Sequence, residues 1–138
     1  MTKGLFLGGL VLMSTFAVGH FAGFMQAARA ARNDPRMADL TRAMREHRSE
    51  LLGFRPSILD FREYFSLNFS ILLALAAVIG FVALGTAADP IDAIRRLSIA
   101  YAFGMLLLLG TSIYFSVLQG IVTCLIIAVL FGLAWWLA

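Results

Sequence analysis

Residues Arg29–Glu63 read RAARNDPRMADLTRAMREHRSELLGFRPSILDFRE, and this stretch decides the fold. It carries eight of the eleven Lys and Arg residues and six of the eight Asp and Glu residues. On either side the chain is almost free of charge. The uncharged runs are Gly4–Ala28, Tyr64–Ala88 and Leu97–Ala138, of 25, 25 and 42 residues. A membrane span needs roughly 20 apolar residues, so the first two runs each make one helix and the third makes two. The fold class is therefore all-α: a four-helix transmembrane bundle in a single membrane domain, residues 1–138. Its spans fall at about 4–28, 64–88, 97–118 and 120–137, with Gln119-Gly120 as the expected turn.

Composition agrees. Hydrophobic residues make up 61% of the 138, charged residues 14%, and the mean hydropathy is +0.88, all outside the usual soluble range. Beside a bilayer, arginines contact lipid phosphate and set orientation, so a net charge of +3 does not imply nucleic acid, and none is expected. Cys124 is the single cysteine, which excludes an intrachain disulfide and a paired-thiol redox motif. The first run, with Lys3 before it and Ala28-Arg29-Ala30 after it, imitates a signal peptide. Its length favours a retained helix.

Within the charged stretch, Asp34-Pro35 is an N-cap followed by a proline at the first helical position. Met37, Leu40, Met44, His47 and Leu51 then recur at three- and four-residue spacing, with arginines and glutamates on other faces. The pattern predicts an amphipathic interfacial helix over about 35–52, stopped by Gly53 and too charged to span. Arg42 and Glu46, four apart, can pair weakly. Ser57-Ile58-Leu59-Asp60 matches a capping box, so a new helix starts at Ser57 and runs unbroken into the second span. Asp89-Pro90 repeats the capped start ahead of the third.

Antiparallel threading gathers the loop-side ends of all four helices. His20, Gln26, Asn68, Ser70, Thr111, Ser112, Tyr114, Thr123 and Cys124 fall within roughly 14 Å of those ends. Polar groups in hydrocarbon must find partners or line a cavity, so this concentration outlines a candidate ligand pocket opening toward the charged stretch, with His20, Gln26, Asn68, Ser70, Ser112 and Tyr114 as its candidate residues. Serines and threonines also bond back to their own helix carbonyls. By that criterion His20, Gln26, Asn68, Tyr114 and Gln119 are the ones that demand an outside partner. The pairs Gly4/Gly8 and Gly19/Gly23 are GxxxG motifs, read either as packing within the bundle or as a homo-oligomer face. No metal-ligand pattern, phosphate loop or nucleophile elbow is present, so no metal, no cofactor and no assigned catalytic residue is expected.

Gly19-His20, followed by Pro56-Ser57-Ile58-Leu59-Asp60-Phe61-Arg62-Glu63-Tyr64-Phe65-Ser66, resembles an uncharacterised family of small four-helix bacterial integral membrane proteins. That family has Gly-His in span one and Ser-x-x-Asp, then Gly-Phe-Ser, at span two; here Tyr64 replaces the glycine. The resemblance implies a multi-pass protein of the plasma (inner) membrane. It adds Asp60 and Ser66 to His20 as site residues, and it brings no activity. With eight basic residues on the Arg29–Glu63 side against three opposite, the positive-inside rule puts residues 29–63 in the cytoplasm and both termini outside. The leading functional expectation is a non-catalytic membrane protein that binds a lipid-like ligand or serves as an accessory subunit of a membrane-protein partner. The alternative is a small membrane enzyme acting on a lipid or quinone, with His20 as acid/base and Asp60 orienting it.

Overall fold

A computed structural model describes residues 1–50 and 54–138. Five helices follow one another: α1 (Thr2–Asn33), α2 (Pro35–Glu46), α3 (Ile58–Thr86), α4 (Pro90–Tyr114) and α5 (Leu118–Trp136). All but α2 are long and apolar enough to cross a membrane. The chain is a multi-pass, all-α membrane protein. At 1.5 Å per residue the 32 residues of α1 extend about 48 Å, well beyond a hydrocarbon core of about 30 Å. Its last turns, with Arg29 and Arg32, therefore continue past the apolar layer.

The helix starts follow from local chemistry. Asp34 Oδ1 accepts the Arg36 N–H at 2.9 Å, and Asp89 Oδ1 accepts the Ile91 N–H at 2.9 Å, each satisfying a donor that the first turn leaves open. Pro35 and Pro90 follow, with no N–H to satisfy.

Contacts divide the chain into two units. The first comprises Met1–Phe16 and Leu73–Ala138, so it takes the start of α1, the later part of α3 and all of α4 and α5. Its core is an aromatic cluster: the Phe6 ring lies 5.6 Å from that of Phe131, edge to face, and Tyr101 lies 5.0 Å from Phe131. The Tyr101 hydroxyl donates to the Ala76 carbonyl at 2.7 Å, tying α4 to α3 and satisfying a group that hydrocarbon would otherwise strand. Close backbone approach is carried by Gly9, which faces the Phe131 ring, and by Gly80, which faces Leu10. The GxxxG glycines behave differently. Gly8 meets only Leu130, and a methyl group at Gly4, Gly19 or Gly23 would meet nothing within 4 Å among the described residues.

The α4–α5 turn lies earlier than expected. It occupies Phe115–Val117, not Gln119-Gly120. Ser116 takes a left-handed conformation (φ 55°), its N–H donates to the Ile113 carbonyl, and the Val117 N–H donates to the Ser112 carbonyl. That pair of bonds is a Schellman cap, with serine where glycine is usual. Gly120 serves packing instead of turning. It is buried, and a Cβ there would sit 2.6 Å from Ser112 Oγ on α4.

The second unit, Ala17–Leu72, contains the rest of α1, all of α2 and the start of α3. Here α2 is shorter than the spacing suggests. It stops at Glu46 because His47 is extended (ψ 106°), and the backbone then pairs with the chain ahead of α3. Ser49 N–H donates to the Pro56 carbonyl at 3.0 Å and Ile58 N–H to the His47 carbonyl at 3.1 Å, an antiparallel bridge at Arg48 and Ser57. The expected stop at Gly53 and the stripe residue Leu51 lie outside the described residues. Of the rest of the stripe, Met37 and Met44 are half-buried, whereas Leu40 is 53% exposed. Arg42 pairs with Asp39 at 3.8 Å rather than with Glu46.

Candidate functional site

The second unit holds a cleft of about 450 Å³, built from one face of each of its three helices. From α1 come Ala28, Ala31 and Arg32; from α3, Leu59, Arg62 and Glu63. Both sets have the i, i+3, i+4 spacing of a single helix face. Helix α2 adds Ala38, Thr41, Arg42, Arg45 and Glu46. The lining is therefore apolar at the three alanines and the buried Leu59, and charged at four arginines and two glutamates. The local turn makes it possible. Asp34 and Pro35 restart the helix one residue after α1 ends, and α2 returns its Arg42 and Arg45 to the cleft that Arg32 lines.

Among the described residues, ion pairs join Arg42 to Asp39 and Arg96 to Asp92. Neither takes Arg32, Arg45 or Arg62, nor Glu46 or Glu63. Arg32, Arg45 and Arg62 thus present guanidinium donors, and Glu46 and Glu63 carboxylate acceptors, to one cleft. A volume of this size falls in the range of small-molecule sites.

The start of α3 forms one wall, and the expected capping box holds it. Ser57 N–H donates to Asp60 Oδ2 at 2.8 Å, and Asp60 N–H donates back to Ser57 Oγ at 3.1 Å. Asp60 precedes the uncharged run and lies outside the span. The Ser57 backbone N–H foremost, then the Ser57 side chain, with Arg48 and Arg45 adding to them, holds its carboxyl below the ordinary aspartate value. A depressed carboxylate stabilises the fold above its unfolded pKa, about 3.9, and that support disappears as pH falls through the lower folded value. Ser57→Ala is expected to cost about 1 kcal/mol of stability at pH 7. Asp60→Asn should flatten the dependence of melting temperature on pH below about 4. An unchanged acid limb in that variant would show the cap to be energetically idle.

None of the eight residues expected to form a pocket lines this cleft. His20 sits in α1 with its ring 4.9 Å from that of Phe69, edge to face. The neighbouring α3 positions satisfy themselves: the Asn68 amide donates to the Tyr64 carbonyl at 2.8 Å, and the Ser70 hydroxyl donates to the Ser66 carbonyl at 3.1 Å. Asn68, expected to demand an outside partner, therefore finds one within its own helix. Gln26 is exposed, and Asp60 is committed to its cap. Asp60 and Phe69 are nine residues apart on α3, about 13.5 Å along the axis, so Asp60 does not orient the ring that packs on Phe69. Ser112 and Tyr114 belong to the first unit, where Ser112 faces Gly120 and Tyr114 is 81% exposed.

Sequence reasoning passed over the cleft arginines as snorkelling or solvated residues. The available signal was the spacing of Ala28, Ala31 and Arg32 against that of Leu59, Arg62 and Glu63, with a proline-started helix between them. Among the described residues no group of three or more His, Cys, Asp or Glu is placed to hold a metal ion. Neither a protein-family model, nor a curated protein, nor a solved structure matches the chain.

Proposed function

We propose that this multi-pass membrane protein is a non-catalytic lipid-binding protein, and that its arginine-lined cleft holds the phosphate of a lipid headgroup. The observation that carries this reading is the placement of Arg32, Arg45 and Arg62, from three helices, on one cleft. The cleft also has a fitting place in the sequence. Ala28 is the last uncharged residue of the first run and Glu63 immediately precedes the second, so the site borders both apolar segments. Guanidinium groups match phosphate oxygens in geometry, and their hydrogen bonds to an anion are charge-assisted. The alanines and Leu59 suit the glycerol and first acyl carbons beneath such a headgroup. The excess of basic residues in Arg29–Glu63 supports a cytoplasmic position for the cleft, facing the inner leaflet.

Native mass spectrometry of the detergent-extracted protein, given phosphatidylglycerol or the phosphate-free diacylglycerol with the same chains, tests the reading. Phosphatidylglycerol should be retained and diacylglycerol lost. An arginine beside a lipid surface contributes about 1 kcal/mol, so Arg32→Gln with Arg62→Gln should weaken retention about 30-fold, with the melting temperature recorded in parallel. Equal retention of the two lipids, or a double variant that binds as well as the parent at unchanged melting temperature, overturns the proposal.

A further inference from the structure

The two carboxylates of the cleft are not explained by phosphate binding. Glu46 on α2 and Glu63 on α3 line the same cleft as the arginines, and each would repel an approaching phosphate. Neither enters the ion pairs found among the described residues, which join Arg42 to Asp39 and Arg96 to Asp92. A carboxylate accepts hydrogen bonds and donates none; a guanidinium donates and accepts none. A bare phosphate complements only half of such a lining. A headgroup that carries a phosphate and, a few bonds away, its own charged donor complements both halves. Resting on the lipid-binding reading, we propose that Glu46 and Glu63 make the cleft selective for a phosphate headgroup bearing a primary ammonium, as in a phosphoethanolamine lipid.

The chemistry is specific at the nitrogen. A primary ammonium brings three N–H donors to the carboxylates, and its hydrogen bonds to them are charge-assisted. Trimethylation keeps the charge and the phosphate but removes every donor, and it enlarges the group that must approach Glu46 and Glu63. Phosphatidylethanolamine and phosphatidylcholine with matched acyl chains therefore differ only in the feature that the carboxylates would read. The simpler role for Glu46 and Glu63 is to temper repulsion among the arginines. That role predicts something else: neutralising them would tighten both lipids alike.

The test is competition between the two lipids for the full-length protein in detergent, read by native mass spectrometry. The parent protein should retain phosphatidylethanolamine about tenfold over phosphatidylcholine. Glu46→Gln with Glu63→Gln should bring the two to near parity, with the melting temperature unchanged within a degree or two. Parity in the parent overturns the inference; if Arg32→Gln with Arg62→Gln still weakens both lipids, the phosphate reading survives that result. Equal tightening of both lipids by the glutamine variants assigns the carboxylates to tempering repulsion and also overturns the inference. Free phosphoethanolamine is the last arm. Displacement of the lipid by it at equal concentration would assign the cleft to a soluble ligand and overturn the lipid source.

Discussion

Phe131→Ala is expected to lower stability in detergent by about 3 kcal/mol, the larger part of it through lost packing. Phe131 is fully buried, and its ring is enclosed by Phe6, Tyr101 and the bare backbone of Gly9. In water, deleting a buried phenylalanine side chain costs about 3–5 kcal/mol, of which one part is transfer to solvent and the other the cavity left behind. In a bilayer or micelle the separated helices still sit in an apolar medium, so the transfer part shrinks while the cavity part remains. The lower end of that range therefore applies. Gly9 supplies the internal check. A Cβ on Gly9 would lie 2.7 Å from the Phe131 ring, so Gly9→Ala should destabilise the parent yet be tolerated once Phe131 is alanine. Thermal unfolding of the two single variants and the double variant measures this coupling. Strict additivity would mean that Gly9 and Phe131 do not share a packed site.

The two halves of the protein differ in how far sequence alone discloses them. Capped helix starts at Asp34, Ser57 and Asp89 are legible because each depends on residues within four positions of one another. The four spans are legible because the hydrocarbon thickness imposes one length on every apolar run. The end of α2 was not legible. His47 leaves the helix and its carbonyl accepts the Ile58 N–H, a partner eleven residues away that no local spacing announces. Ser116 conceals the α4–α5 turn for a related reason. A serine in the left-handed region carries no signature, whereas Gln119-Gly120 offers a conventional one that the chain does not use.

The cleft escapes a sequence reading for a different reason. Counting polar residues by depth gathered His20, Gln26, Asn68 and Ser70, but depth says nothing about which groups a helix satisfies by itself. Asn68 and Ser70 both return their donors to carbonyls four residues earlier. Arginines at the end of a span look like anchors one by one. Only the break at Asp34-Pro35, where α2 starts after α1 ends, makes Arg32 and Arg45 walls of one cleft.

Gly80→Val should be as damaging as the loss of Phe131, for the opposite physical reason. Gly80 is buried in α3, and a Cβ there would overlap Leu10 Cδ2 and stand 3.1 Å from Leu10 Cδ1. Leu10 is itself 0% exposed, so its side chain has no open direction in which to withdraw. Two effects compete in the smaller substitution, Gly80→Ala. Removing a glycine from a helix interior gains about 1 kcal/mol of helix propensity, whereas overpacking a filled site costs about 1–3 kcal/mol. The clash prevails modestly with alanine. Valine adds two more carbons to the same overlap and contributes less propensity, so the net loss grows to about 3 kcal/mol. Gly104 provides the control, since a Cβ there meets nothing within 4 Å among the described residues; Gly104→Ala should be neutral or slightly stabilising. Leu10→Ala removes the atoms that Gly80→Val would strike, so the double variant should be more stable than Gly80→Val alone. If thermal unfolding finds Gly80→Val and Gly104→Ala indistinguishable, the close approach of α1 and α3 at Leu10 and Gly80 is not what holds these helices together.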